Sequence, residues 1–286
     1  MSQPMAKSSR RVVLGFSGLP RAQAFKRARW PQLQDSEYKI TQGAEAAAAL
    51  VVDGVLVAAA AEERFDGVRH SDAFPVGAIA SCLAQAGLTA SDLDVVAHGF
   101  SYLPERAFYL GQSAYYRDLY HDVLDPEVNR VIAEQALGID LAGRFLPVAH
   151  HLAHAESAFV PSGFADALVV VSDGLGERHA ATVMIADARG LETIATLPAT
   201  ASLGLLYGLF TMYLGFEFND GEYKVMGLAP YGDAGRYGPL ILEHWVQLQG
   251  DGRYAVPLLL ENADDLDKET HRAALAAIER RLGPRR

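Results

Sequence analysis

The sequence predicts a mixed α/β protein in which helices pack on the faces of a β-sheet. Short apolar runs typical of buried strands alternate with amphipathic helical patterns, and two hairpin signals built on Asp-Gly and other Gly-containing turns separate some of these runs. Half of the 286 residues are hydrophobic and 21% are charged, which is typical of a well-packed core. This length suits one large domain or two small ones.

The first half of the chain predicts a strand, a hairpin and a helix before a further strand. Asp53-Gly54 divides an apolar stretch and predicts a type I′ turn between two strands. Pro75 opens an amphipathic helical pattern, and Gly87 ends it. The predicted elements are a strand at 10–20, a polar insertion at 20–42, a hairpin at 44–65, a helix at 74–94, a strand at 95–100 and helices at 101–142.

The second half predicts a histidine-bearing helix, then strands and further helices. After that helix, three apolar runs separated by Gly-containing turns predict three strands that include a second β-hairpin. The predicted elements are a strand end and helix at 144–163, three strands at 165–199, a helix at 204–216, a Gly-rich loop at 219–238 and a polar-faced helix at 268–286.

Charge and composition exclude several classes of function. The net charge of −10 disfavours nucleic-acid binding, which needs a basic face. No apolar run reaches the length of a membrane span, and no apolar stretch follows the basic N-terminus as it would in a signal peptide, so we expect a cytoplasmic protein. The single cysteine, Cys82, lies in an apolar helical pattern and is expected in the core.

Three histidines within five positions suggest a metal site. His150 and His154 are spaced i, i+4, and His151 and His154 are spaced i, i+3, so either pair could share one helix face. Asp173 ends a buried apolar run and is followed by glycines, so it is the natural carboxylate partner. The alternative is a histidine-rich helix start whose rings are solvated or hydrogen-bonded without a metal.

Glycines near Asp173 and Lys224 indicate a second candidate site, one that binds a phosphate-bearing ligand. Gly174 and Gly176 follow Asp173 and would let a ligand approach the backbone closely. In the Gly-rich stretch, Lys224 could meet a phosphate while Gly227 and its neighbouring glycines leave room for it. Gly-rich loops are weak evidence alone, and a solvated surface charge is the alternative for Lys224.

Five stretches, taken together and in this order, resemble the carbamoyltransferase family that includes the nodulation carbamoyltransferase and the antibiotic O-carbamoyltransferases. They cover most of residues 44–232. The matching stretches are AAAALVVDGVLVAAAAEERF, FPVGAIASCLAQAGL, HHLAHAESAF, VVVSDGLGE and SLGLLYGLFTMYLGFEFNDGEYKVMGLAPYG.

The resemblance implies a particular fold. The family's first domain is similar to the universal tRNA threonylcarbamoyl transferase and has the actin/Hsp70-like (ASKHA) fold, a duplicated RNase-H-like unit with a mixed sheet and flanking helices. Residues 1–286 are then expected to form the N-terminal carbamoyltransferase domain, with a first RNase-H-like subdomain at about 10–145 and the start of a second at about 146–286. Relatives continue further, so we expect the second half to be incomplete. The alternatives are a fragment, the product of a frameshifted gene, or one half of a split enzyme whose missing C-terminal domain lies on a separate chain.

The resemblance also implies a chemistry. In the family, the first and last histidines of the stretch HHLAHAESAF bind a divalent metal, most often iron. This implies His150 and His154 as ligands here, with Asp173 as the next ligand. The metal would polarise a carbamoyl-adenylate made from ATP and carbamoyl phosphate, and an acceptor hydroxyl would attack the carbamoyl carbon as AMP leaves. The expected nucleotide-binding residues are Gly174, Gly176, Lys224 and Gly227.

The sequence departs from the family pattern at the residues that are thought to activate the acceptor hydroxyl. Relatives carry a His-Asp pair where this chain has Ala44 and Glu45, and no histidine precedes His70. Either Glu45 or a residue of the insertion at 20–42 is therefore expected to take this role, or the acceptor chemistry differs. Lys224 is a further candidate catalytic residue. The aromatic residues of the insertion either shape an acceptor pocket or pack the insertion against the domain.

The predicted function is that of an O-carbamoyltransferase, or its N-terminal part, acting on a small hydroxylated metabolite. Two alternatives remain. The first is a tRNA threonylcarbamoyl transferase-like enzyme, against which the net charge of −10 argues. The second is a non-catalytic or partner-dependent actin-like nucleotide-binding module.

Overall fold

The computed structural model describes residues 10–285. Residues 1–9, from which the sequence predicts no signal peptide, and Arg286 lie outside the described residues. Among the residues described, none of the helices combines the length and apolarity needed to cross a bilayer.

A five-stranded mixed sheet organises the first half, residues 10–147. Its strands are β1 (Val12–Ser17), β2 (Ala47–Val52), β3 (Val55–Ala61), β4 (Val95–His98) and β5 (Phe145–Pro147). Their order is β3-β2-β1-β4-β5, with β1, β2 and β3 antiparallel and β4 and β5 parallel to β1. This order and these directions are those of an RNase-H-like unit, so the predicted mixed α/β fold class is confirmed. Asp53 (φ 51°) and Gly54 (φ 80°) form the predicted turn.

Residues 10–147 also contain seven α-helices. They are α1 (Ala22–Arg29), α2 (Asp35–Tyr38), α3 (Glu63–Asp66), α4 (Val76–Ala86), α5 (Arg106–Leu110), α6 (Ala114–Leu119) and α7 (Pro126–Leu137), with a π-helical turn at Tyr120–Leu124. α4 places Ile79 and the buried Cys82 against the sheet and ends at Gly87 in the left-handed region, as predicted. Glu62 accepts hydrogen bonds from the backbone N–H groups that open α4.

The insertion at 20–42 packs against the domain. It contains α1 and α2, and its Phe25 and Trp30 rings lie 5.4 and 4.5 Å from the Tyr115 ring of α6. Tyr38 is 3% exposed. These aromatic residues therefore contribute to a core between the insertion and α6.

The second half, residues 148–285, has one helix before a three-stranded antiparallel sheet and helices after it. Its elements are α8 (His150–Phe159), β6 (Ala167–Gly176), β7 (His179–Asp187), β8 (Gly190–Pro198), α9 (Leu203–Tyr213), α10 (Glu222–Leu228), α11 (Ala234–His244), β9 (Gln247–Leu248), β10 (Tyr254–Ala255), α12 (Asp265–Thr270) and α13 (Arg272–Leu282). The sheet order is β6-β7-β8. Ala155 of α8 packs against Val171 and Met184 on one sheet face.

Two predicted elements differ from the structure. The stretch 219–238, predicted as a Gly-rich loop, contains helix α10 and the start of α11, because its glycines fall mainly at helix ends while apolar residues keep helical spacing between them. The helix predicted at 268–286 is divided between α12 and α13. His271 divides it because it adopts φ 57° and its buried ring accepts a hydrogen bond from Asn262.

Candidate metal centre

The carboxylate of Glu177 positions the start of α8. Glu177 Oε1 accepts hydrogen bonds from the backbone N–H groups of His150 and Ser101, each at 2.9 Å. A carboxylate at a helix N-terminus satisfies free N–H groups and complements the helix dipole. Burial raises the pKa of Glu177, which is 7% exposed. This residue ends the quoted stretch SDGLGE, yet sequence reasoning did not assign it a role.

The three predicted ligands converge at the start of α8. His150 Nε2 lies 3.1 Å from His154 Nε2 and 3.0 Å from Asp173 Oδ2, and His154 Nε2 lies 4.0 Å from the same oxygen. All three ligand atoms lie within 4.8 Å of one another. The i, i+4 spacing of the two histidines and the position of Asp173 in the last part of β6 therefore bring the three predicted groups together.

These separations fit a shared divalent cation. Bonds of about 2.0–2.2 Å from nitrogen and oxygen to a metal place neighbouring ligand atoms about 3.0–3.5 Å apart. Two of the three separations, 3.1 and 3.0 Å, agree with that spacing. His150 Nδ1 donates to the Gly99 carbonyl at 3.1 Å, because a carbonyl can only accept, and this leaves Nε2 as the ligating atom.

His151 lies beside the three ligands. Its Nδ1 contacts Thr182 Oγ1 at 2.7 Å, whereas its buried Nε2 has no hydrogen-bond partner in the described residues and lies 4.0 Å from Asp173 Oδ2. A buried polar atom without a partner is costly, and one that faces the ligand cluster fits a site completed by a bound cation. Burial lowers the pKa of His151 to about 4, so the ring is neutral at neutral pH.

The charges of the cluster also suit a cation. Burial alone would raise the pKa of Asp173, but the hydrogen bond and charge of His150 outweigh it and lower that pKa to about 2. Burial lowers the pKa of His154, and the neighbouring His150 lowers it further. For His150, the hydrogen bond and charge of Asp173 outweigh burial and raise the pKa. An ionised carboxylate thus faces imidazoles that a metal would hold in their neutral form.

Glycines permit close packing around these ligands. A Cβ on Gly204, at the start of α9, would lie 2.7 Å from the Gly174 Cα, so only glycine fits there. A Cβ on Gly176 would lie 2.5 Å from the His151 ring, which means that Gly176 accommodates this ring. A Cβ on Gly174 would meet no atom within 4 Å, so there is open space on that side of its Cα.

The other predicted nucleotide-binding residues lie on α10. Lys224 Nζ is 4.0 Å from Asp220 Oδ2, and the side chain is 39% exposed. A Cβ on Gly227 would also meet open space. The structure gives neither residue a contact with the metal ligands, and their assignment to a nucleotide remains a prediction.

A second cluster, which sequence reasoning missed, surrounds His70. Its Nδ1 lies 2.7 Å from Glu45 Oε1 and its Nε2 lies 2.9 Å from Asp220 Oδ1. Arg69 Nε is 2.9 Å from the same Asp220 oxygen. Glu45, the predicted catalytic residue, therefore has a histidine beside it despite the Ala44-Glu45 departure. The separations of 25 and 150 residues leave no local signal that could have joined the three.

Comparison with known proteins identifies the relatives. The chain is 37% identical to the uncharacterized protein sll1178 of Synechocystis over 76% of its own length and 38% of that protein. It is 36% identical to the nodulation protein NolNO of Sinorhizobium fredii, covering 75% of the chain and 31% of that protein. The chain thus spans between three and four tenths of the length of these curated relatives. A solved structure of YeaZ from Pseudomonas aeruginosa covers 66% of this chain and 67% of YeaZ at 13% identity, but its TM-score of 0.34 is too low to bear on the fold.

A family sequence pattern that matches most of the chain identifies its family. The sequence pattern described as Carbamoyltransferase N-terminus matches residues 40–273, which include the ligands at the start of α8 and the cluster around His70. The chain therefore belongs to the carbamoyltransferase family and carries its N-terminal region.

Proposed function

We propose that this chain is the acceptor-carbamoylating part of an O-carbamoyltransferase, which moves a carbamoyl group from carbamoyl-adenylate to a hydroxyl of a small metabolite. The convergence of His150 Nε2, His154 Nε2 and Asp173 Oδ2 carries the proposal. Membership of the carbamoyltransferase family, and 36% identity to a nodulation protein, support the reaction class.

His150, His154 and Asp173 would hold a divalent cation, with Fe²⁺ the expected metal. Such a cation would polarise the carbamoyl-phosphate anhydride and stabilise negative charge on the leaving AMP. Glu177 fixes the first turn of α8, and the Gly99 carbonyl fixes the ring of His150. These contacts hold the ligand atoms in place before the donor binds.

The open space beside the Gly174 Cα supports binding of the carbamoyl-adenylate next to Asp173. Gly176 contributes by allowing the His151 ring to pack beneath the site. Lys224 and Gly227 would contact the nucleotide from α10. Carbamoyl phosphate and ATP are the expected sources of the donor.

The edge of β6 supports a role for a further polypeptide. In the first sheet β1 pairs on both sides, with β2 and β4, whereas among the described residues β6 pairs only with β7. Leu168 and Val170 of β6 are 65% and 61% exposed on the face opposite α8. A strand with apolar residues on both faces is typical of the centre of a sheet. We expect the part of the protein found in the longer relatives, on the same or a separate chain, to cover this strand.

Metal analysis tests whether His150, His154 and Asp173 bind a metal ion. Chain loaded with Fe²⁺ under anaerobic conditions is expected to retain about one metal per molecule, while His150→Ala and Asp173→Asn weaken binding at least about tenfold. His121→Ala, an exposed histidine of the π-helical turn, is the matched control. Equal metal retention by all of these variants would refute the site.

The reaction itself is tested with carbamoyl phosphate, ATP and a panel of alcohols, with and without the downstream part of the protein. A carbamoylated alcohol that forms only when both parts and the metal are present supports the proposal. Metal and nucleotide binding without any product, even with both parts present, would instead favour a nucleotide-binding module.

A further inference from the structure

We propose that His70, held between Glu45 and Asp220, is the base that removes the proton from the acceptor hydroxyl. This inference rests on the proposed carbamoyl transfer, and it assigns the step for which the sequence offers no histidine at position 44. His70 would be the catalytic residue. Glu45 and Asp220 would be positioning residues.

Asp220 determines which nitrogen of His70 is available. Asp220 is 14% exposed and lies 2.9 Å from both His70 Nε2 and Arg69 Nε, with Lys224 Nζ at 4.0 Å. Both ring nitrogens of His70 face a carboxylate. Arg69 holds the little-exposed Asp220 in place, so we assign the Nε2–H donor to Asp220, and Nδ1, beside the exposed Glu45, is the nitrogen that exchanges a proton, as in an Asp-His catalytic pair.

Nδ1 faces the exposed side of the cluster. Its neighbour Glu45 is 67% exposed, and no other hydrogen bond holds the Glu45 carboxylate in the described residues. Glu45 can therefore turn aside and let a hydroxyl reach Nδ1. The imidazolium that forms would keep its Nε2–H on Asp220, whose carboxylate stabilises the positive charge. Glu63 also faces the group, because its carboxylate accepts from the His70 backbone N–H at 3.2 Å.

Backbone strain is concentrated at this cluster. Glu45, His70 and Asn219, the residue before Asp220, adopt φ values of 66°, 51° and 62°. Non-glycine residues in the left-handed region are held there at a cost, and such residues are often found at functional sites. Asn219 Nδ2 also donates to the carbonyl of Lys39 at 3.0 Å, which ties α10 to the segment that carries Glu45.

Two paths of contacts join the cluster to the candidate metal centre. At one end of α9, Gly204 packs on Gly174 beside Asp173. One helical turn further on, about 5 Å, Tyr207 donates a hydrogen bond to the carbonyl of Glu222, two residues from Asp220. A second path runs through Gln42, which precedes Glu45 by three residues. Gln42 Nε2 donates a hydrogen bond to the carbonyl of Leu175, two residues after Asp173, at 2.8 Å. A small acceptor that contacts His70 would thus face a donor bound at Asp173.

The step conserves atoms and charge. The acceptor oxygen forms a bond to the carbamoyl carbon, and its proton passes to His70 Nδ1. The bond between the carbamoyl carbon and the phosphate oxygen breaks, and AMP leaves with that electron pair. His70 then releases the proton to water.

The protonation of His70 can be measured without an acceptor. The full chain is labelled with ¹⁵N-histidine, and the His70 resonances are assigned from their absence in His70→Gln. The expected result is a neutral ring that carries its proton on Nε2. A neutral ring that carries its proton on Nδ1 would overturn the inference. Asp220→Asn is expected to change the tautomer population.

Transfer kinetics give the second readout. With both parts of the protein and a responsive alcohol, His70→Gln is expected to lower the transfer rate about 10²–10⁴-fold, because that is the usual contribution of a general base. Metal content and AMP binding should not change, and His121→Gln should be as active as the wild type. Transfer by His70→Gln within threefold of the wild type would overturn the inference and leave the proposed function standing. Loss of metal binding or transfer in the wild type would instead count against the proposed function, while the position of the ring proton still decides the role of His70.

Discussion

Gly176 lies directly against the ring of His151. A Cβ at position 176 would come within 2.5 Å of His151 Cδ2 and 3.3 Å of His150 Cδ2. Neither ring has free space, since His151 is buried and His150 stacks on Phe100 with ring centroids 4.4 Å apart. Gly176→Ala is therefore expected to displace the ligand rings and weaken Fe²⁺ binding about tenfold or more.

The measurement is metal affinity by competition with a chelator, together with circular dichroism to confirm folding. Gly238→Ala in α11 is the matched control, because a Cβ there would meet no atom within 4 Å and alanine favours the helix. Wild-type affinity in folded Gly176→Ala would show that these rings do not hold the metal.

Buried histidines predict a loss of stability in mild acid. Burial lowers the pKa of His98 and of His271 from the ordinary 6.5 to about 4. The unfolded chain therefore binds more protons than the folded chain between these values. The free energy of unfolding should be highest above pH 6.5 and fall towards pH 4 by about 1.4 kcal/mol per pH unit for each histidine.

Urea unfolding at pH 7.5, 6.0 and 5.0 measures this slope. His98→Gln is expected to flatten it by the share of one histidine, whereas exposed His121→Gln should leave it unchanged. Equal stability at pH 7.5 and 5.0 would contradict the buried, neutral state of both rings.

Much of the fold and one site could be predicted because their signals are local. The Asp53-Gly54 turn and the Gly87 helix end follow from the φ angles that these residues tolerate. For the candidate metal ligands, helical spacing indicated two possible histidine pairs, and the resemblance to the carbamoyltransferase family selected His150 and His154. In each case a short stretch of sequence determines the geometry.

The cluster around His70 could not be predicted because its members meet only in the tertiary structure. His70 follows a short helix, α3, and contacts a residue on the opposite half of the molecule. Likewise, the division of the last helix depends on burial of the His271 ring and its hydrogen bond with Asn262, which helical periodicity does not reveal. Long-range contacts of this kind override local propensity.

Lys26 is expected to be important for stability because it joins the insertion to α12. Its ammonium group is 1% exposed and donates to the carbonyls of Ile40 and Glu269 at 2.7 and 2.5 Å, with the Glu269 carboxylate at 3.7 Å. Lys26→Met leaves these acceptors without a donor, so we expect a loss of about 3–5 kcal/mol in the free energy of unfolding.

Chemical denaturation measures this loss. Lys39→Met is the control, because the 44% exposed Lys39 pairs with Glu217 in contact with solvent and should change stability by about 1 kcal/mol or less. Lys26→Met with Glu269→Gln should recover part of the loss, because the double variant leaves no buried charge unpaired. If Lys26→Met is as stable as Lys39→Met, the buried lysine does not hold the two halves together.

The exposed face of β6 predicts self-association of the isolated chain. Leu168 and Val170 are joined on this face by Ile185 of β7 and Ile194 of β8, which are 45% and 51% exposed. An apolar sheet face beside an edge strand promotes association through both surface burial and strand pairing. Leu168→Glu with Val170→Glu should therefore shift the chain towards monomer in sedimentation velocity, with Fe²⁺ binding retained because neither side chain faces α8.

The same variant should bind the downstream part of the protein more weakly. Leu248→Glu in β9, where leucine is 75% exposed, is the matched control, and an equal effect from it would show that general surface charge, and not the β6 face, governs association.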